Sequence, residues 1–239
     1  MQTTYKYELA AALMLLATFI ASIFFLSYGW SGLINDYYGF RQAQTAISVF
    51  YLVHEQMQLD YITPVLGYPW SIPFEFPSYQ FSVAALVKLT GLPIDQAGRL
   101  VSLSCYYLCV FPIYSIFRQA DLDREKVLIV LILFLSSPFY LFWSRTFMIE
   151  SMALLWSLIF INMVVLYLKK ESLKYLLFGL IFGLLAALTK ITTFIVAGFF
   201  ATSLIFYLWG GREDKFSFEV LRRYIALGFI TMGIPLGIS

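Results

Sequence analysis

Long uncharged apolar runs separated by short charged breaks fill most of the chain. The first run, residues 9–28, is long enough to cross the ~30 Å hydrocarbon core of a bilayer as one helix. Further runs cover residues 100–117, 127–144, 151–169, 175–189 and 191–211, and another begins at Tyr224. Short polar connections make successive helices antiparallel neighbours. The pattern predicts an all-α integral membrane protein, a polytopic helical bundle of about seven spans. The first run exceeds a signal-peptide apolar region and no small-x-small site precedes Trp30, so it is read as an uncleaved span.

Residues 30–99 break the pattern and are read as one long, structured outer loop. Phe40, Ala43, Ile47, Phe50 and Met57 recur at helical spacing, with Arg41, Gln44, Ser48 and Glu55 mostly opposite. That periodicity suits an amphipathic helix resting on the membrane interface. Pro64, Pro69, Pro73 and Pro77 punctuate an aromatic-rich turn region. Residues 76–87 are uncharged but too short to span, so they are read as a helix at the outer surface. Long structured loops are usually functional.

Composition sharpens the class. Hydrophobic residues make up 61% of the 239 positions and charged ones 13%, against about 25% charged in a soluble domain. A net charge of +2, with no basic cluster interleaved with stacking aromatics, gives no nucleic-acid partner. The basic residues set an orientation. Lys6; Arg118, Arg124 and Lys126; Lys169, Lys170 and Lys174; and Arg212, Lys215, Arg222 and Arg223 all fall on one side if the amino terminus is cytoplasmic. The expected location is the plasma (inner) membrane, crossed many times. Trp30, Trp143 and Trp209 are expected interface anchors.

With that topology the outer face gathers Asp36, Arg41, His54, Glu55, Asp60, Glu75, Asp95, Arg99, Arg145, Glu150 and Lys190. The span interiors hold essentially no ionisable group, whereas pumps and proton-coupled transporters place acids, His or Arg there. Chemistry is therefore expected at the outer surface. Asp36, Glu75 and Glu150, meeting Arg41, Arg145 and Lys190, would suit a reaction with a base, a phosphate and a divalent ion. Spacing alone leaves a bland alternative, because an acid such as Glu150 at a helix start also complements the macrodipole. Cys105 and Cys109 share a helix face without His or acidic neighbours and are read as small packing residues. His54, the single histidine, is read as interfacial, and Asp60, Asp95 and Arg99 as loop and cap residues, Arg99 with phosphate contact as its alternative.

Several motifs, in order, resemble one family. They are Asp36 with Tyr38-Gly39-Phe40-Arg41-Gln42-Ala43-Gln44-Thr45-Ala46, Phe74-Glu75-Phe76-Pro77 with Tyr79-Gln80, Gly98-Arg99-Leu100, Ser144-Arg145-Thr146-Phe147-Met148-Ile149-Glu150, and Leu188-Thr189-Lys190. Together they resemble the GT-C superfamily of membrane glycosyltransferases, in its protein O-mannosyltransferase-like and aminoarabinose-transferase-like branch. The resemblance runs from about Met1 to Thr193. It implies inverting transfer of a sugar from a polyprenyl-phosphate donor to a protein, lipid or glycan acceptor outside the cytoplasm. Asp36 would be the catalytic base. Arg145 and Lys190 would neutralise the donor phosphate, with Arg41 and Glu75 binding phosphate and sugar. Glu150, with Asp36, would hold a divalent metal ion or the sugar. Tyr37 stands where members often carry a second acid, and Glu150 where the second-loop acid is often Asp. Both departures bear on metal dependence.

The resemblance also implies more helices beyond Ser239, so residues 1–239 are expected to be the glycosyltransferase-like domain of a longer enzyme. Two other readings compete. One is a transporter or flippase of a lipid-linked saccharide, which would need polar residues at mid-membrane depth, where Asn162 and scattered Ser and Thr stand. The other is a non-catalytic membrane subunit.

Overall fold

The computed structural model describes residues 2–28, 30, 38–68 and 75–210, with Gly233 and Gly237. The chain divides into two compact units, Met1–Met152 and Ala153–Ser239. Helix is the only regular secondary structure among the described residues.

In the first unit α1 (Gln2–Ser27) is apolar from Lys6 onward and long enough to cross a membrane. Its side chains Phe24 and Tyr28 are 82% exposed, as an apolar helix in lipid would be. After it come α2 (Gly39–His54), a 3₁₀ turn (Pro64–Leu66) and α3 (Ser78–Thr90). Then follow α4 (Ile94–Leu108) and α5 (Val110–Gln119), which together form a second candidate span. α6 (Arg124–Leu135) and α7 (Pro138–Ser144) complete the unit. α1 packs on α6, α2 on α3, and α4 on α2, α3 and α7.

α2 has the period expected of it, and its burial explains its composition. Gln42, Gln44, Ser48, Val49 and Leu52 face the protein, while Phe40, Ile47 and Phe50 point away from it. The uncharged stretch 76–87 forms α3, a helix of 13 residues, too short to span.

Residues 127–144, read from sequence as one span, are broken into α6 and α7 with a bend of 59°. The cause is local. Pro138 has no N–H for the Phe134 carbonyl, and the chain turns at Ser136 and Ser137 instead. The Phe134 carbonyl accepts from the Ser137 N–H, and the Tyr106 hydroxyl of α4 adds a donor at the bend, 3.1 Å from the Leu135 carbonyl and 3.3 Å from that of Phe134. Tyr106 packs with Leu26 and Leu135 at the centre of a cluster that includes Leu103, Tyr107, Phe134 and Tyr140. Beside it the Ser22 and Tyr107 hydroxyls, 2.9 Å apart, tie α1 to α4.

The second unit contains most of α8 (Glu150–Lys170), a third candidate span, with α9 (Leu173–Thr189) and α10 (Ile191–Gly210) packed on each other. Small residues, Gly179, Gly183, Ala186 and Ala187, form the buried side of α9. Lys190 is the single non-helical residue between α9 and α10; its N–H caps Ala186 and its carbonyl accepts from Thr193 and Phe194.

Among the described residues three helices can cross a membrane by length and apolarity, or four with the bent pair counted as one span. The expected fifth span, 175–189, is α9, whose 17 residues fall short of the ~20 a span needs, and the expected sixth is α10, a helix of 20 residues. The expected last span lies outside the described residues. The protein is an all-helical, multi-pass membrane protein.

Tyr106 tests the account of the bend. Tyr106→Phe should cost about 1 kcal/mol through the lost hydroxyl. Tyr106→Ala should cost roughly 3–5 kcal/mol through the added cavity. Thermal unfolding of the detergent-purified protein checks the order, and equal losses would refute the role given to the hydroxyl.

Candidate active site

Two acids are held by three helices of the first unit. Glu75 stands just before α3, where Pro77 begins the helix and accepts from the Phe81 N–H. The Tyr61 hydroxyl donates to the Glu75 backbone carbonyl at 3.1 Å, fixing the turn. The Arg41 guanidinium lies 4.0 Å from the Glu75 carboxylate, and Gln80 donates to the same carboxylate at 3.4 Å. Arg41 also donates to Gln44 at 3.3 Å. The Arg41 side chain is 42% exposed and that of Glu75 17%, so the carboxylate is the more enclosed of the pair.

Glu150 begins α8, one end of a turn whose other end is Arg145 at the close of α7. The turn is irregular yet deeply buried: Thr146, Phe147, Met148 and Ile149 are all at most 5% exposed. Side chains meet several of its polar groups. The Phe147 N–H donates to the Gln42 side-chain oxygen at 3.0 Å, and Ser102 donates to the Met148 carbonyl at 3.1 Å. Thr146 bonds back to the Trp143 carbonyl at 2.7 Å. Tyr79, fully buried, places its hydroxyl 2.8 Å from the Gly98 carbonyl and 2.9 Å from Ser102. Burial, with the Glu150 charge as a lesser cause, pushes the Tyr79 phenol well above its usual range, so it stays a proton donor. The rings of Tyr79 and Phe147 meet edge to face at 5.9 Å.

Gln42 follows Arg41 directly, so α2 reaches Glu75 with one residue and the Arg145–Glu150 turn with the next. Arg145 lies 5.8 Å above the Phe25 ring near the end of α1. Tyr38, at the start of α2, stacks at 5.3 Å on Trp143. Its φ of 69° is left-handed, a conformation that costs a bulky residue about 1–3 kcal/mol. Both flanks of the segment that carries Asp36 thus meet the α7 end of the turn; Asp36 itself lies outside the described residues.

Of the residues singled out from sequence, Arg41 and Glu75 are paired, and Arg145 and Glu150 share one turn. Lys190 belongs to the second unit. His54 sits at the exposed end of α2, its ring on Phe50 and its Nδ1 2.8 Å from the Phe50 carbonyl. Among the described residues no three His, Cys, Asp or Glu side chains come together, so these residues alone do not build a metal site. Sequence reasoning gave no role to Gln42, Tyr79, Gly98 or Ser102. They are neutral, and nothing local marks them as partners of a turn far along the chain.

Residues 73–235 match the family described as dolichyl-phosphate-mannose-protein mannosyltransferase. The chain belongs to this family. Neither a curated protein nor a solved structure matches it. Membership makes the chain a membrane glycosyltransferase of the GT-C type, using a polyprenyl-phosphate sugar donor and an acceptor. The matched stretch includes Glu75, Arg145, Glu150 and Lys190, and begins after Asp36 and Arg41.

Gly98 gives a direct check on the buried turn. A Cβ there would run into the Phe147 ring, and Phe147 is fully buried. Gly98→Ala should therefore destabilise the protein by about 1–3 kcal/mol, as overpacking does. The matching loss in thermal midpoint should not appear in Gly91→Ala beyond the smaller strain at its φ of 72°, since open space surrounds that position.

Proposed function

We propose that this mannosyltransferase-family protein transfers a sugar from a polyprenyl-phosphate donor to an acceptor on the non-cytoplasmic face of the membrane, with inversion at the anomeric carbon. The observation that carries the reading is that α2 joins the Arg41–Glu75 ion pair to the turn bounded by Arg145 and Glu150, within a chain of this family. The amino terminus is cytoplasmic in this reading, and about seven spans cross the bilayer, as the distribution of Lys and Arg favours. α2 and α3 then lie in the outer loop 30–99, with the apolar side of α2 on the membrane surface.

Asp36 takes the proton from the acceptor hydroxyl or amine. The acceptor attacks the anomeric carbon as the bond to the phosphate oxygen breaks, and polyprenyl phosphate leaves from the opposite face. One displacement gives inversion. Charge grows on the departing phosphate, and Arg145 and Lys190 compensate it, the type of stabilisation that dominates such sites. Glu75, oriented by Arg41 and Gln80, lines the sugar pocket. Glu150 positions the sugar or, with Asp36, a divalent ion, which would add positive charge at the phosphate. The sugar is a mannose or a related hexose or pentose, and the acceptor a protein, lipid or glycan.

Asp36→Asn in the full-length protein should reduce transfer from dolichyl-phosphate mannose by about 10²–10⁴-fold, the usual contribution of a general base. Protein yield and thermal midpoint should stay at wild-type values. Transfer at the wild-type rate would remove Asp36 as the base. Glu75→Gln should mainly raise the donor KM, since it keeps the shape and loses the charge that Arg41 meets.

A further inference from the structure

Arg145 and Glu150 are the two ends of one turn, and the middle of that turn is held by side chains from elsewhere. Gln42 of α2 accepts the Phe147 N–H, and Ser102 of α4 donates to the Met148 carbonyl. Tyr79 of α3 backs Ser102 at 2.9 Å. Their proton inventory fixes a direction. Two hydroxyl hydrogens serve three contacts: Tyr79 to Gly98, Tyr79 to Ser102, and Ser102 to Met148. Gly98 lies inside α4, where a helical carbonyl already has its own N–H partner. The Met148 carbonyl lies in the turn, outside any helix. The Met148 carbonyl is served only when Ser102 donates to it, and the Tyr79 hydroxyl then donates to the Gly98 carbonyl with the Ser102 oxygen beside it.

Gln42 is fixed in the same way. With its oxygen on the Phe147 N–H, the amide cannot flip without facing a donor with a donor. Gln42, Tyr79 and Ser102 are all at most 1% exposed, so bulk water does not replace a bond lost there. The clamp grips backbone groups that lie between Arg145 and Glu150. It sets where the backbone carries them.

We propose that Gln42, Tyr79 and Ser102 are positioning residues of the transfer reaction, placing Arg145 and Glu150 through the backbone of the turn that joins them. The inference rests on the reading that Arg145 and Glu150 act on the donor. A misplacement of about 1 Å in such a group can cost 10²-fold in rate, so partial loosening of the turn should show in kcat before it shows in folding.

The test uses the purified full-length protein with dolichyl-phosphate mannose as the probe. Ser102→Ala, Tyr79→Phe and Gln42→Leu should each lower kcat about tenfold, the effect of one net hydrogen bond, with KM within about twofold and the folded fraction unchanged. The double variant Tyr79→Phe/Ser102→Ala should be no worse than Ser102→Ala alone, because both act through one chain. Ser102→Thr, which keeps the hydroxyl, should restore kcat to within about threefold of wild type. A second readout needs no turnover: amide exchange of a peptide spanning 145–149 should speed up about tenfold in Ser102→Ala and Gln42→Leu, with a peptide from α1 unchanged. Unchanged exchange in both variants overturns the proposal, with or without measurable transfer. So does wild-type kcat in Ser102→Ala and Tyr79→Phe, or a Ser102→Thr variant as slow as Ser102→Ala.

Arg145→Ala and Glu150→Gln separate this proposal from the reading beneath it. If both transfer at the wild-type rate, the site reading fails and the positioning role falls with it. If both lose transfer while the clamp variants keep wild-type kcat and exchange, the positioning proposal alone is wrong.

Discussion

Irregular backbone buried among apolar helices must find a partner for each of its N–H and C=O groups, because neither lipid nor a packed core offers one. The first unit is organised around that demand at two places. At residues 145–149 the chain leaves α7 and enters α8 through a buried turn, and Gln42 and Ser102 bond to its backbone. At residues 136–138 proline interrupts a helix, and the Tyr106 hydroxyl donates at the bend, between the Phe134 and Leu135 carbonyls. In both cases a neutral side chain from a distant helix replaces a backbone partner, and the helices that donate those side chains are drawn together.

The same economy explains why the charged residues gather where they do. An ionised group inside a span is costly, and Glu75, Arg145 and Glu150 sit at helix ends and in connections. Arg41 lies in the first turn of α2 and Glu75 just before α3, while Arg145 and Glu150 bound the connection between α7 and α8. α2 serves both pairs with consecutive residues. Its polar side is turned inward, so a helix that reads as a surface element carries much of the polar contact in the unit.

How much of this the sequence discloses varies by element. α1 and α8 are legible because an uncharged run of span length has few other destinations. The period of α2 is legible too, since polar and apolar residues alternate at helical spacing. The α6–α7 bend was hidden, although Pro138 was in plain view: an apolar run registers on a hydropathy profile whether or not its helix is continuous. Lys190, visible as a charge, turned out to be the one residue separating two helices. At the site, Arg41, Glu75, Arg145 and Glu150 stood out by charge. The clamp residues did not. Ser102 meets a partner 46 positions away and Gln42 one 105 positions away, and no local spacing rule reaches that far.

Chain order gives the clamp one more property. Gln42, Tyr79, Gly98 and Ser102 all precede the turn they hold, and Tyr106 precedes the bend it completes. A ribosome releasing this chain from its amino terminus therefore presents each receptor before the segment that needs it. When residues 145–149 emerge, the cradle for them has been synthesised. The irregular backbone is therefore made after every side chain that bonds to it.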